Sequence, residues 1–214
     1  MDRAQALSAA RSAGQAAARR ALAAADPVLG RHLAKVGPYR LTIDGTSSIY
    51  QGLAESVVYQ QLTGKAAATI FSRVVALGGG ALPAPADLLR LPDDALRCAG
   101  LSRAKTAALK DLAAHAHDGR LPELDEARAL PDDVLIERLC AVRGVGPWTV
   151  QMLLMFRLGR ADVLPATDYG VRKGFQRVFR TRALPTPAQV LARGERWRPH
   201  RTMAAWYLWR ALDS

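Results

Sequence analysis

Apolar residues recur at helical spacing along nearly the whole chain, in short stretches broken by glycine and proline. In Ser47–Leu62, Ile49, Leu53 and Val57 stand four apart, as do Val58 and Leu62, so they share roughly one helix face. Ala66–Leu77 places Ile70, Phe71, Val74 and Val75 on one side; Gly78-Gly79-Gly80 and the linker Leu82-Pro83-Ala84-Pro85 then stop it. Only Tyr39–Ile43 reads as a strand, and it is short. Many short apolar faces suit the core of a bundle and disfavour a long amphipathic membrane binder. The pattern predicts an all-α chain of about ten helices.

Two segments begin alike, Leu91-Pro92-Asp93-Asp94 and Leu130-Pro131-Asp132-Asp133, 39 residues apart. Proline fits a first helical turn because its missing N–H is not needed there, and the aspartates favour the positive end of the helix dipole. Each is followed by a short helix, a glycine turn (Gly100; Gly144 and Gly146) and a longer helix (Arg103–His117; Pro147–Leu158). This is a weak internal repeat of helix–turn–helix units. The Ala-rich start, Met1–Ala25, reads as a helix, with a transit peptide as the alternative because of Arg3, Arg11, Arg19 and Arg20.

The chain has 214 residues, half of them hydrophobic and 23% charged, the balance of a folded protein with room for one sizeable core or two small lobes. No apolar run reaches the roughly 18 residues of a membrane span. Two cysteines, Cys98 and Cys140, cannot make a disulfide framework, an iron–sulfur cluster or an all-cysteine zinc site. They fall on apolar helix faces, where burial is expected, and a reducing, cytoplasmic compartment is the natural reading. His115 and His117 lack further ligands at metal spacing and are expected to be solvated at a helix end, so no metal site is predicted. The bias to arginine, with abundant alanine and glycine, suggests GC-rich coding DNA and a bacterial, nucleoid-associated protein.

Lys and Arg total 30 against 19 Asp and Glu, a net charge of +11. From Val171 to Ser214 ten basic residues meet two acidic ones, a net +8; the first 170 residues carry only +3. A basic terminal region suits a phosphate-tracking surface, or it is a solvated face.

One turn carries more information. Leu139-Cys140-Ala141-Val142-Arg143-Gly144-Val145-Gly146-Pro147-Trp148-Thr149-Val150 joins two apolar-faced helices through Gly-Val-Gly, with the next helix starting at once. Such a turn is an ordinary helical hairpin, or its outward N–H groups and the positive helix end bind phosphate.

This hairpin, with Leu164-Pro165-Ala166-Thr167-Asp168-Tyr169 about twenty residues on, resembles the helix-hairpin-helix (HhH-GPD) DNA glycosylase superfamily. Within it the chain looks most like the alkylated-base branch, the 3-methyladenine DNA glycosylase II type. Gln61-Leu62, Ala99–Lys105 and Trp197-Arg198-Pro199-His200-Arg201 with Trp209 also fit, and the likeness covers residues 45–214. It implies a two-lobed helical bundle with the active-site cleft between the lobes, the core at 45–214 with its hairpin near 139–158, and residues 1–44 as a mostly helical segment packed on that core. The branch's large N-terminal β domain is missing.

The resemblance implies a role for each matching residue. Asp168 is the catalytic carboxylate facing the flipped nucleotide; from the residues alone it is equally an N-cap, unless Thr167 caps instead. Trp148 lines the base pocket, or is a core tryptophan. Gln61, Met152 and Trp209 join that pocket; Trp206 competes with Trp209, and Met152 stands where the family example has tyrosine. Leu62 is the wedge that fills the gap left by the flipped base, or a core leucine. Gly144, Gly146 and Thr149 contact DNA phosphate, and the hairpin carbonyls can hold a monovalent cation; no other cofactor is expected. Relatives that also cut the backbone carry a Schiff-base lysine where this chain has Trp148. The implied function is a monofunctional base excision repair glycosylase that flips and hydrolyses alkylated or deaminated purines from double-stranded DNA. The expected form is a monomer without membrane association. A non-enzymatic helix-hairpin-helix DNA-binding or lesion-sensing protein is the alternative, and a bifunctional glycosylase–lyase the third.

Overall fold

A computed structural model describes residues 3–213; Met1 and Asp2 of the expected first helix lie outside them. The chain begins with α1 (Arg3–Ala25) and α2 (Pro27–Val36). It continues through α3 (Ile49–Tyr59), α4 (Gly64–Leu77), α5 (Pro85–Arg90), α6 (Asp93–Cys98), α7 (Arg103–His117), α8 (Leu124–Ala129), α9 (Asp132–Cys140) and α10 (Pro147–Phe156). It ends with α11 (Tyr169–Phe179), α12 (Pro187–Gly194) and α13 (Arg201–Arg210), a short 3-10 turn (Glu195–Trp197) linking the last two. The fold is all-α. The strand expected at Tyr39–Ile43 is irregular, and no strand exists among the described residues to pair with it.

The chain divides into two compact units: Met1–Ile43 with Gly159–Ser214, and Asp44–Leu158. The division drawn from sequence, 1–44 and 45–214, separates residues that here share a unit. No helix among the described residues is long and apolar enough to cross a membrane.

The central unit holds α3–α10. Leu53, Val57, Leu109, Leu112, Leu135, Leu139, Val150 and Leu153 are all fully buried. Proline and aspartate start α6 and α9 as the repeat predicted, without a side-chain cap. Gly100 and Gly144 end the two turns at φ +108° and +76°, which L side chains rarely adopt. The cysteines depart from expectation. Cys98 is exposed and Cys140 partly so, because each closes its helix, where the apolar face runs out. His115 also departs. It is buried, with Nδ1 bonded to Asp111 O at 2.9 Å and Nε2 facing Arg120 Nη1 at 3.0 Å, while His117 is exposed.

In the other unit α11 packs tightly on α13. A Cβ at Gly174 would sit 1.9 Å from the Leu208 carbonyl oxygen, so only glycine permits this approach. Asp26 is fully buried. It caps α2 by accepting from Leu29 N–H, and it takes two bonds from Arg193 (2.7 and 2.9 Å) and one from Trp197 Nε1 (3.1 Å). Burial pushes its carboxyl upward, but the Arg193, Trp197 and Leu29 donors outweigh this and hold it below the usual value.

The basic C-terminal region is less free than its charge suggested. Arg193 is committed to Asp26, Arg198 and Arg201 to Asp162 and Glu195, and Arg210 to Asp213. Arg180, Arg182 and Arg196 keep side chains without a partner among the described residues.

An Asp26 pKa depressed by folding gives stability that is full above the unfolded value, about pH 4, and lost as pH falls through the lower folded value. Asp26→Asn should cost about 2–3 kcal/mol at neutral pH, since Arg193 loses its ionised partner in a half-buried site. In urea titrations from pH 7 to pH 3, the gap between wild type and variant should shrink below about pH 4. A gap that stays constant would contradict this account of Asp26.

Candidate active site

The site is best built from α3. Ser48 caps it by accepting from Gln51 N–H at 3.1 Å, so the helix starts two residues later than the apolar pattern suggested. It ends at Tyr59, before the Gln61-Leu62 turn. Gln60 is extended and Gln61 enters the left-handed region at φ +56°. The end is held by Lys105, whose Nζ donates to Val58 O and Gln60 O at 2.7 Å each. Lys105 comes from the first turn of α7, after the Gly100 turn. Burial depresses its pKa.

Gln60 then reaches the hairpin. Its Nε2 donates to Gly144 O and to Thr149 Oγ1, both at 3.1 Å. The hairpin is also braced from α7, where Asp111 Oδ2 accepts from Arg143 N–H at 2.7 Å. Val145 packs inward. A Cβ at Gly144 would lie 3.1 Å from Ala108 Cβ, so glycine serves both the turn's φ and its close seat on α7. Gly146 precedes Pro147 at the start of α10, with no side chain capping that end.

Beside the hairpin lies a cavity of about 380 Å³, lined by Asp44, Glu55, Ser56, Tyr59, Gln60, Trp148, Thr149, Met152, Phe156 and Arg157. This is within the range of small-ligand sites. Trp148, Met152 and Phe156 stand four apart on one stripe of α10, and Glu55 and Tyr59 four apart on α3. Trp148 is 39% exposed, so it is not a core residue. Arg157 pairs with Glu55 (Nη2 to Oε2, 2.7 Å).

Several expected residues are placed differently. The cavity takes Gln60 where Gln61 was expected; Gln61 is exposed, because the helix ends one residue before Gln60 and the turn swings the next side chain away. Thr149 is buried and its hydroxyl oxygen accepts from Gln60 Nε2. Leu62 is 40% exposed, which excludes the core alternative. Sequence reasoning did not find Glu55, Tyr59, Phe156 and Arg157, although Phe156 stands four after Met152 and Tyr59 four after Glu55, a readable signal for those two pairs.

Asp168 lies in the other unit. It is the N-cap of α11, so Thr167 does not take that place. Its Oδ1 accepts from Val171 N–H at 2.7 Å and from Trp209 Nε1 at 2.8 Å. Trp209 therefore holds the carboxylate. Trp206 packs edge-on against Tyr39 and Tyr207. The segment leading to Asp168 is anchored by Arg201 on Asp162 (2.7 and 3.0 Å) and by Thr202, whose hydroxyl donates to Arg160 O and accepts from Val163 N–H.

The model of the HhH-GPD superfamily of base excision DNA repair proteins matches residues 54–199. The chain belongs to this superfamily. Among its relatives, DNA-3-methyladenine glycosylase 1 of Schizosaccharomyces pombe is 40% identical over 162 residues, 75% of this chain and 71% of that protein. The solved structure of 3-methyladenine DNA glycosylase Mag1 of S. pombe, in complex with abasic DNA, matches with a TM-score of 0.82 at 37% identity, covering 90% of this chain and 95% of that one. DNA-3-methyladenine glycosidase of Bacillus halodurans matches with a TM-score of 0.80 at 35% identity, covering 90% and 87%. Relatives with these names favour the enzyme over the non-enzymatic alternative. Gly144, Gly146 and Pro147 all fall inside the matched residues.

Lys105→Met should leave the Val58 and Gln60 carbonyls without their donor, at a cost of about 1–3 kcal/mol. Amide exchange should accelerate at residues 60–63 and 144–149 and stay unchanged at α9. Uniform acceleration across the central unit would show that Lys105 stabilises it only globally.

Proposed function

We propose that this DNA glycosylase is monofunctional and releases damaged purines from duplex DNA by hydrolysis. The observation that carries the reading is Trp148. It stands half-exposed in the first turn of α10, against a cavity beside the hairpin, where a glycosylase–lyase carries its Schiff-base lysine. Lys105, on the same unit, is committed to two backbone carbonyls and supplies no amine nucleophile.

In this reading the amides of Gly144 and Gly146 and the uncapped start of α10 bind a DNA phosphate. Leu62, exposed beyond the end of α3, fills the gap left by the extruded base, offsetting part of the unstacking cost. The base stacks on Trp148, with Met152 as a soft neighbouring wall; an indole face attracts a cationic ring by about 0.5–2 kcal/mol. The glycosidic bond then breaks with its electron pair leaving on the base. The sugar becomes oxocarbenium-like, the Asp168 carboxylate stabilises that charge, and water adds to the sugar carbon as its proton passes to that carboxylate. Two N–H donors on Oδ1 fix the rotamer in which Asp168 does this.

No cofactor enters the chemistry. A monovalent cation would be held by the turn's carbonyls, where Val142 O and Gly144 O accept one bond each from Val145 N–H and Gln60 and retain a second lone pair. The protein works as a monomer in the cytoplasm, on DNA.

The test is release of free base from duplexes holding one 7-methylguanine or one hypoxanthine. Asp168→Asn should lower single-turnover release by roughly 10²–10³-fold. Trp209→Phe, which keeps the ring and loses the donor, should lower it about tenfold. Borohydride should trap no covalent adduct. Full activity in Asp168→Asn removes that residue from the mechanism, and no release across a panel of damaged purines overturns the reading.

A further inference from the structure

We infer that Glu55 sets the charge preference of the cavity and makes it select cationic, N-alkylated purines over neutral damaged ones. This rests on the reading of the cavity as the base site.

The cavity's ionisable lining is unusual for this chain. The protein carries +11 overall, yet the charged residues here are Asp44, Glu55 and Arg157, a net −1. Arg157 engages one oxygen of Glu55, Oε2, and spends Nη1 on Gly45 O at 3.4 Å. Oε1 of Glu55 has no partner among the described residues, nor has the Asp44 carboxylate. Asp44 is exposed and therefore screened; Glu55 is half-buried, beside Tyr59 and facing the space against which Trp148 stands. Its ion pair fixes where the remaining oxygen sits.

Carboxylates near a phosphate-binding turn weaken attraction to a polyanion. What they gain is discrimination at the base. Methylation at N7 of guanine leaves a positive charge on the purine ring, which an aromatic wall and a carboxylate both attract. Hypoxanthine is neutral and presents a carbonyl acceptor, which an ionised carboxylate repels unless a donor intervenes. Glu55 thus supplies an attractive element for one class and a repulsive one for the other.

The experiment measures kcat/KM for release of 7-methylguanine and of hypoxanthine from otherwise identical duplexes and takes their ratio. Glu55→Gln keeps the shape and removes the charge, and should lower the ratio about tenfold. Arg157→Gln removes the neutralising cation and should raise it. An unchanged ratio in Glu55→Gln, or a shift in the same direction in both variants, overturns the inference, since a structural role for the pair would move both alike. Release of neither base by the wild type defeats the glycosylase reading itself. The charge preference is then read from calorimetric binding of 7-methylguanosine against inosine: tighter binding of the cation, lost in Glu55→Gln, supports it, and equal affinities overturn it.

Discussion

The Gln60 carboxamide reaches in two directions, to the Gly144 carbonyl and to the Thr149 hydroxyl, and most of what is interesting in the central unit depends on it. Helix α3 has to end where Gln60 can leave its path, and Lys105 holds that end by taking up two carbonyls that would otherwise lack donors. Once Gln60 is tied to the hairpin, one end of α3 and the start of α10 face a common space. Trp148, Met152 and Phe156 line it from one helix, and Glu55 and Tyr59 from the other. The hairpin turn and the cavity beside it are therefore one construction.

The second unit solves a different problem, the presentation of a carboxylate. Asp168 is ordinary as a cap, accepting the Val171 N–H. What distinguishes it is the second donor, Trp209 Nε1, which can approach because α11 is stripped to glycine where it meets α13. The cap and candidate catalytic roles are thus compatible: capping bonds on one oxygen orient the group. The arginines that seemed to form a phosphate-tracking surface largely serve this unit's own architecture. They pair with Asp26, Asp162 and Glu195, and the pairs on Asp162 pin the segment that leads into Asp168.

Much of this was legible in one dimension. Helix positions followed from apolar spacing and from the Pro-Asp-Asp starts, because local propensity and pattern agree there. The resemblance puts Trp148 beside the hairpin and leaves Leu62 open between an exposed wedge and a core leucine. The errors share a cause. Which of Gln60 and Gln61 enters the cavity, and what the Thr149 hydroxyl meets, depend on a left-handed residue at position 61 and on a hydrogen bond spanning 89 residues. The sequence offers Trp209 as a pocket wall; the structure adds that its indole N–H holds the Asp168 carboxylate. Its partner lies 41 residues away, and no periodicity reports such a pairing. Cys98 and Cys140 were expected inside because helical faces were treated as endless.

Residue type and local spacing alone fix an all-α chain, its hairpin turn and its excess of positive charge. The candidate carboxylate and the missing lyase lysine are legible only through the resemblance to the superfamily. Tertiary structure decided which charges are available and which are spent in ion pairs, and which of two adjacent glutamines faces the cavity. It also decided that a carboxylate, Glu55, stands among the aromatic walls of a basic protein. Those outcomes depend on contacts between distant segments, where burial and hydrogen-bond geometry select among alternatives that local sequence leaves equal in energy.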